Sequence, residues 1–298
     1  MTGLLKRLVD RRSRSQDRFR QASAAEPAPA ELRGDMVTSV VEAQDRIPEI
    51  GRVPDRYVHL SSLIGCCPRA EVLARDTGIE LRNNVTGSQR IMWRIGRAVE
   101  THIRDSYINA VNYEGVHGKW RCDCHRTSYE GLFDPEAARC DHCGHRPRYY
   151  DELTVFDHAA GIGGNPDLVL MVDGKYLIIE IKSMKAESFD ALDRPVFDHL
   201  LQAGGYRRIY ENMGLPVHNE VVVIYVRKDF SPRVRPYKER LVNVAMDANV
   251  HRSLDLMWDM ARSIRSSNLQ NLPGRICNAP TDTRARNCPT VCDCFQRD

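Results

Sequence analysis

The chain has no apolar run approaching the ~18 residues that a membrane-spanning helix needs. It also lacks the sustained apolar segment near the N-terminus that marks a secretory leader. Those two absences predict a cytoplasmic protein with no membrane partner. No G-x-x-x-x-G-K-[ST] stretch occurs, so the chain carries no evident ATP motor of its own, and no internal repeat is visible. Charge of one sign is scarce as well. The 43 basic and 40 acidic residues leave a formal net charge of +3, too little to identify a nucleic-acid binder by itself. What remains is an ordinary composition, 42% hydrophobic and 28% charged. Its 298 residues suffice for one large domain or two modest ones.

Local features are more specific. Lys6, Arg7, Arg11, Arg12, Arg14, Arg18 and Arg20 crowd the N-terminus and precede an Ala/Pro/Glu segment. Residues 1–55 therefore read as a basic, mostly disordered tail, one that either touches nucleic-acid phosphates or only solubilises. Ten cysteines form three groups: Cys66 and Cys67; Cys122, Cys124, Cys140 and Cys143; Cys277, Cys288, Cys292 and Cys294. In a chain without a leader such clusters read as metal ligands, with a secreted disulfide protein as the alternative.

The middle group, C-x-C and then C-x-x-C, suits a tetrahedral zinc site closing a small loop-rich lobe over residues 118–149. Metal binding would supply much of that lobe's folding energy. The C-x-C half is the less usual spacing, so His125, His142 and His145 stand as alternatives to one thiolate. Unmetallated surface cysteines are the other reading.

The stretch GNPDLVLMVDGKYLIIEIKS, residues 164–183, contains two apolar strands around Asp173-Gly174, a pair that favours a type I′ hairpin turn. That turn sets Val172 opposite Lys175 and, counting back, Asp167 opposite Glu180. Lys182 shares their face. Like charges placed opposite each other destabilise an ordinary hairpin, and a divalent cation between them reverses the sign. Geometry alone leaves two readings, a metal site or an exposed charged hairpin face.

Around it the pattern predicts a helix over LIGCCPRAEVLARD capped by Ser61 or Ser62, and a second over Ser88–Ala110. A strand is expected over Glu152–Phe156, then the hairpin. A helix over Pro195–Met213, a buried strand over Glu220–Val226 and a long helix over Tyr237–Ser266 complete the series. Helix, three strands, helix, strand, helix is an α/β layer architecture, a mixed sheet covered by helices.

Four motifs occur in order: Gly96-Arg97-Ala98-Val99-Glu100, Asn165-Pro166-Asp167, Glu180-Ile181-Lys182 and Gln202-Ala203-Gly204-Gly205-Tyr206. The set resembles the PD-(D/E)XK nuclease superfamily, in particular its RecB-like exonuclease branch, which includes CRISPR-associated four-cysteine exonucleases and phage-encoded relatives. The resemblance covers residues 60–298 outside the cysteine-rich insertion. It implies a restriction-endonuclease-like core over residues 56–298 and Mg²⁺- or Mn²⁺-dependent exonuclease activity on DNA.

Under that resemblance Asp167, Glu180 and Glu100 hold the metal, Lys182 assists the attacking water, and Gln202 and Tyr206 seat the substrate. Without it, Gln202 and Tyr206 read as ordinary packing. Glu100 stands where many members place a histidine. His102 lies about 200° around the helix from it and reads as a core histidine. The family also holds a [4Fe–4S] cluster through one leading and three trailing cysteines, here matched by Cys67, Cys277, Cys288 and Cys294, the last three in segment 275–298. Spacing alone suits structural zinc equally, and Cys66 and Cys292 are spare.

The implied setting is DNA recombination, repair or phage DNA processing in a cell's cytoplasm, the host's if phage-encoded, beside a helicase or recombination partner. The rival readings are a non-catalytic nucleic-acid-binding protein with structural metals and a structure-specific endonuclease.

Overall fold

The computed structural model describes residues 57–65, 67–81, 86–228, 239–286 and 288–296. The basic tail and Cys66 lie outside the described residues. After β1 (Val58–His59) come α1 (Leu60–Leu63) and α2 (Pro68–Thr77). These replace the single helix expected over LIGCCPRAEVLARD, and His59 rather than Ser61 or Ser62 stands at the N-cap. Gly65 adopts a φ of 75° and Pro68 occupies the first turn of α2, so the chain stops and restarts at the leading cysteine. The next helix, α3 (Gly87–Ala110), agrees with expectation. Thr86 opens it with a capping box: its hydroxyl accepts from Gln89 N, and the Gln89 side chain accepts from Thr86 N at 2.8 Å.

Seven strands follow: β2 (Val116–Arg121), β3 (Ser128–Leu132), β4 (Tyr149–Asp151), β5 (Val155–Asp157), β6 (Ile162–Gly164), β7 (Leu168–Val172) and β8 (Lys175–Lys185). The expected strand over Glu152–Phe156 is β5, shifted toward the C-terminus. The remaining elements are α4 (Ala186–Asp190), α5 (Phe197–Asn212), β9 (Glu220–Lys228), β10 (Glu239–Ala245), α6 (Ala248–Ser266), α7 (Thr283–Arg286) and α8 (Val291–Gln296). The helix expected over Tyr237–Ser266 is thus corrected. Its first part is β10, an edge strand antiparallel to β9, and α6 starts only where Asp247 caps the N–H groups of Asn249 and Val250. β10 and α6 are of similar hydrophobicity, and the Asp247 cap is the local signal that separates them.

Among the described residues the main sheet has the order β10-β9-β8-β7-β2-β3, with β4 also on β2. β8 and β9 run parallel and the other pairs antiparallel, so the sheet is mixed. β2 begins two residues before the expected cysteine lobe, pairs with β7 through Val116 and His117 and then runs into the lobe, so the lobe grows directly out of the main sheet.

Helices cover both faces, as the α/β reading requires. Ile103, Tyr107 and Ile108 of α3 pack on Leu168, Ile179, Ile181 and Ile224. On the opposite face Tyr206, Ile209 and Tyr210 of α5 and Leu254, Trp258 and Ala261 of α6 pack on Val169, Ile178 and Val223. Each of the larger aliphatic side chains among them contributes about 1.5–3 kcal/mol on burial. β9 is buried on both faces, which explains its uninterrupted apolar run.

Candidate active site and cysteine clusters

The β7–β8 turn has positive φ at both central residues, 49° at Asp173 and 74° at Gly174. This is the type I′ signature, and the register is the one the turn dictates, from Val172 opposite Lys175 to Leu168 opposite Ile179. Alternation puts Asp167, Glu180 and Lys182 on the same face as Val169 and Ile178, beneath α5. On the neighbouring strand Glu180 lies beside Val223 and Lys182 beside Tyr225.

Glu180 has no exposed surface. Its Oε1 lies 2.5 Å from Lys182 Nζ, but neither carboxylate oxygen accepts a well-directed hydrogen bond among the described residues. Burial, and then the nearby Asp167 charge, push the Glu180 carboxyl well above the usual carboxylate range. Burial also raises Asp167, against the pull of Lys182 and of the Ile181 N–H, which donates to Asp167 Oδ2 at 2.7 Å. Burial works to lower Lys182, yet Glu180 and Asp167 together hold its ammonium above the ordinary lysine value. A buried carboxylate without a donor fits a cation: an ion would supply what hydrogen bonds do not.

Glu100 arrives from α3. Its Oε1 accepts from Ser183 Oγ at 3.0 Å and Ser183 N at 3.2 Å. Gly96, one turn earlier, makes this approach possible, since a Cβ there would lie 3.1 Å from both Ser183 Oγ and Lys228 Nζ. His102 is exposed, which corrects its reading as a core histidine. The buried arc of α3 runs through Gly96, Ile103, Tyr107 and Ile108, and His102 falls outside it.

From α5, Tyr206 faces Glu180 and Asp167, and Gln202 stands one turn before it. Tyr206 is fully buried, and its hydroxyl sits beside the Gln202 side chain and the Asn165 backbone. Its ring lies against Gly164, where a Cβ would come within 2.9 Å. Burial, then the Glu180 charge, raise the phenol, so it stays protonated.

Sequence reasoning missed several neighbours. Arg104, one turn beyond Glu100, pairs with Glu152 at 2.6 Å and lies over the Tyr150 ring at 5.1 Å. The Tyr150 hydroxyl donates to the Asp167 carbonyl at 3.3 Å. Burial and then Asp167 raise Glu152. His199 Nδ1 sits 3.1 Å from the Tyr225 hydroxyl, and burial with the Lys182 charge pushes its imidazole down to about 4. The one-turn spacing of Arg104 from Glu100 was the available signal; the others come from distant segments.

The four middle cysteines converge, with all their Sγ atoms within 4.8 Å of one another. Two separations are 3.4 Å (Cys122–Cys124) and 3.5 Å (Cys124–Cys140). Ligands at about 2.3 Å around a tetrahedral ion lie about 3.8 Å apart, so the set fits one metal. The Thr127 hydroxyl and then the backbone N–H groups of Cys143 and His142 help bring the Cys140 thiol down to about 5. His145 pairs instead with Asp123 at 2.6 Å, and His125 with Arg121.

No other group of three or more Cys, His, Asp or Glu is that tight among the described residues, so Glu100, Asp167 and Glu180 form a looser set. Cys67, Cys277, Cys288 and Cys294 line one cavity of about 280 Å³ between α2 and α8. Arg69 donates to the Cys294 carbonyl at 3.2 Å and ties its two ends together. Cys292 is exposed and outside the cavity lining.

No helix among the described residues is long and apolar enough to cross a membrane. No family model matches the sequence, and neither does any curated protein. Among solved structures, the crystal structure of an alkaline exonuclease (LHK-Exo) from Laribacter hongkongensis is similar at 15% identity and a TM-score of 0.36. It covers 75% of this chain and 90% of that chain, and the same figures hold for LHK-Exo in complex with dAMP. A likeness this slight carries no argument about function.

Proposed function

We propose that the protein is a Mg²⁺- or Mn²⁺-dependent DNA exonuclease of the RecB-like kind. The observation that carries the reading is the Glu180 carboxylate, wholly buried without a well-directed donor, on the same strand face as Asp167 and Lys182. A solvated charged hairpin face would not bury that group. Asp167 and Glu180, with Glu100, would hold the ion. When bound, it would lower the pKa of a water and stabilise charge on the phosphodiester.

The chain's own groups do the rest. Lys182 keeps its proton and offers positive charge beside the reacting phosphate. Ser183 fixes the Glu100 carboxylate through two hydrogen bonds. Tyr206, held against Gly164 next to Gln202, buttresses the Asn165-Pro166-Asp167 segment and helps position the strand. The middle cysteines would bind zinc. The terminal four would bind a [4Fe–4S] cluster that joins both ends of the described chain, restricting the unfolded state over a loop of more than two hundred residues.

The test is degradation of end-labelled linear DNA with Mg²⁺ or Mn²⁺ by the wild type and by Asp167→Ala. The proposal requires loss of mononucleotide release in the variant. Equal degradation by both, or none by either, would leave a binding protein, and cutting of closed circular single strands would indicate an endonuclease.

A further inference from the structure

Trp93, on the second turn of α3, is 53% exposed, whereas the chain's other two tryptophans, Trp120 and Trp258, are 0% and 2% exposed. A single exposed tryptophan needs no explanation by itself. Its surroundings are what make this one informative. Arg94 follows it and Arg97 lies one turn on, both exposed, and neither makes an ion pair among the described residues. Between Gly87 and Val99 the helix carries no acidic residue. The Lys228 ammonium packs beside Gly96 and adds a further positive charge.

Trp93 and Glu100 are seven residues apart, so they share one helix face about 10 Å apart. Arg97 lies between them on that face. The axial distance is about three nucleotide steps of a strand rising 3.4 Å each. An aromatic plane, then the Arg97 guanidinium, then the acid that reaches β8, with Arg94 flanking the ring about 100° around the helix: that is the arrangement by which a strand with unpaired bases is held, stacking on a ring and neutralised along its phosphates.

We propose that the exposed N-terminal part of this face of α3 is a track for a single-stranded nucleic-acid segment. Trp93 is its base-stacking platform, and Arg94 and Arg97 contact its phosphates. The proposal rests on the nuclease reading for its direction, toward Glu100, but not for its test. A duplex keeps its bases stacked on one another and cannot offer one to Trp93. A protein partner would have no use for the Arg94 and Arg97 cations, unpaired among the described residues, unless it were itself polyanionic.

The test is binding rather than cleavage. The full-length protein, without added divalent metal, is titrated into a labelled twelve-nucleotide oligothymidylate, an abasic strand of equal length and a blunt duplex, with anisotropy as readout. Oligothymidylate should bind about tenfold more tightly than the abasic strand, the size expected for one stacked base. Trp93→Ala should erase that difference and Trp93→Phe restore most of it, with melting temperatures unchanged. Arg94→Gln combined with Arg97→Gln should reduce the slope of log affinity against log salt by about 1.4, two single-strand phosphate contacts.

Equal affinity for thymidylate and abasic strands, undiminished thymidylate binding by Trp93→Ala, or no strand binding at all would each overturn the track. An active nuclease whose Trp93→Ala form binds normally removes only the track. An inactive protein with Trp93-dependent binding removes only the nuclease reading.

Discussion

The Glu180 carboxylate and the Lys182 ammonium approach to 2.5 Å on one face of a single strand, and Glu180 has no contact with solvent. The ammonium sits beside one oxygen, yet neither oxygen accepts a well-directed hydrogen bond among the described residues. Buried charges of this kind persist where something other than stability retains them.

Metal addition should therefore show in stability with a definite pH sign. Glu180 and Asp167 have folded pKa values raised above their unfolded ones. Their contribution is fully present below the ordinary carboxylate range and is lost as pH rises through the raised values. A divalent ion needs the ionised forms. We expect Mn²⁺ to raise the melting temperature more at pH 8 than at pH 5.5, and Glu180→Gln to abolish the shift and lower activity at least a hundredfold. A shift of equal size at both pH values, measured by scanning fluorimetry, would contradict this.

Glu100 and His102 offer a direct comparison. Glu100 reaches Ser183, while His102 is exposed outside the buried arc of α3. Glu100→Ala should lower the cleavage rate about a hundredfold, within the range for losing one electrostatic stabiliser. His102→Ala should change it less than twofold. Steady-state rates on one labelled substrate decide the matter.

Asp157, on β5 of a separate three-stranded sheet of order β1-β6-β5, anchors α5 and α6 to that sheet. Its Oδ2 accepts from Asn212 Nδ2 at 2.6 Å and from Trp258 Nε1 at 2.8 Å. Burial works to raise its carboxyl, but these donors and the Ala160 N–H prevail and hold it low. Its contribution is present above the unfolded carboxylate pKa and disappears as pH falls through the lower folded value. Asp157→Ala should cost about 3 kcal/mol near neutral pH, since the buried Trp258 and Ala160 donors lose their acceptor. The variant should also lose less stability on acidification than the wild type, which urea denaturation at several pH values would reveal.

For the cysteines, elemental analysis and absorbance separate the two groups. Cys140→Ser should release one zinc per chain and destabilise the lobe around β3 and β4. Cys288→Ser should remove iron and the absorbance near ~400 nm, while Cys292→Ser, outside the cavity, should leave both unchanged. A colourless wild type purified anaerobically would remove the iron–sulfur assignment.

Much of this was legible because it is local. Two central residues fixed the type I′ turn and hence the β7–β8 register, since side-chain period in a strand leaves no freedom once the turn is set. The α3 and α5 bounds followed from periodicity to within two residues at each end. Local reasoning failed where two elements of similar hydrophobicity adjoin, as β10 and α6 do, and where a side chain's fate depends on a few tens of degrees of helix rotation, as at His102.

The sequence by itself determined that Asp167, Glu180 and Lys182 share a face, and that the cysteines cluster in groups. Only the tertiary structure decided what surrounds them. It buried Glu180 beneath α5, set Glu100 on Ser183, drew Arg104 to Glu152 and brought Cys67 to one cavity with residues from the far end of the chain. Those relationships join segments up to two hundred residues apart. They are fixed by how helices pack on a sheet, a property of the assembled surfaces that no single stretch of chain contains.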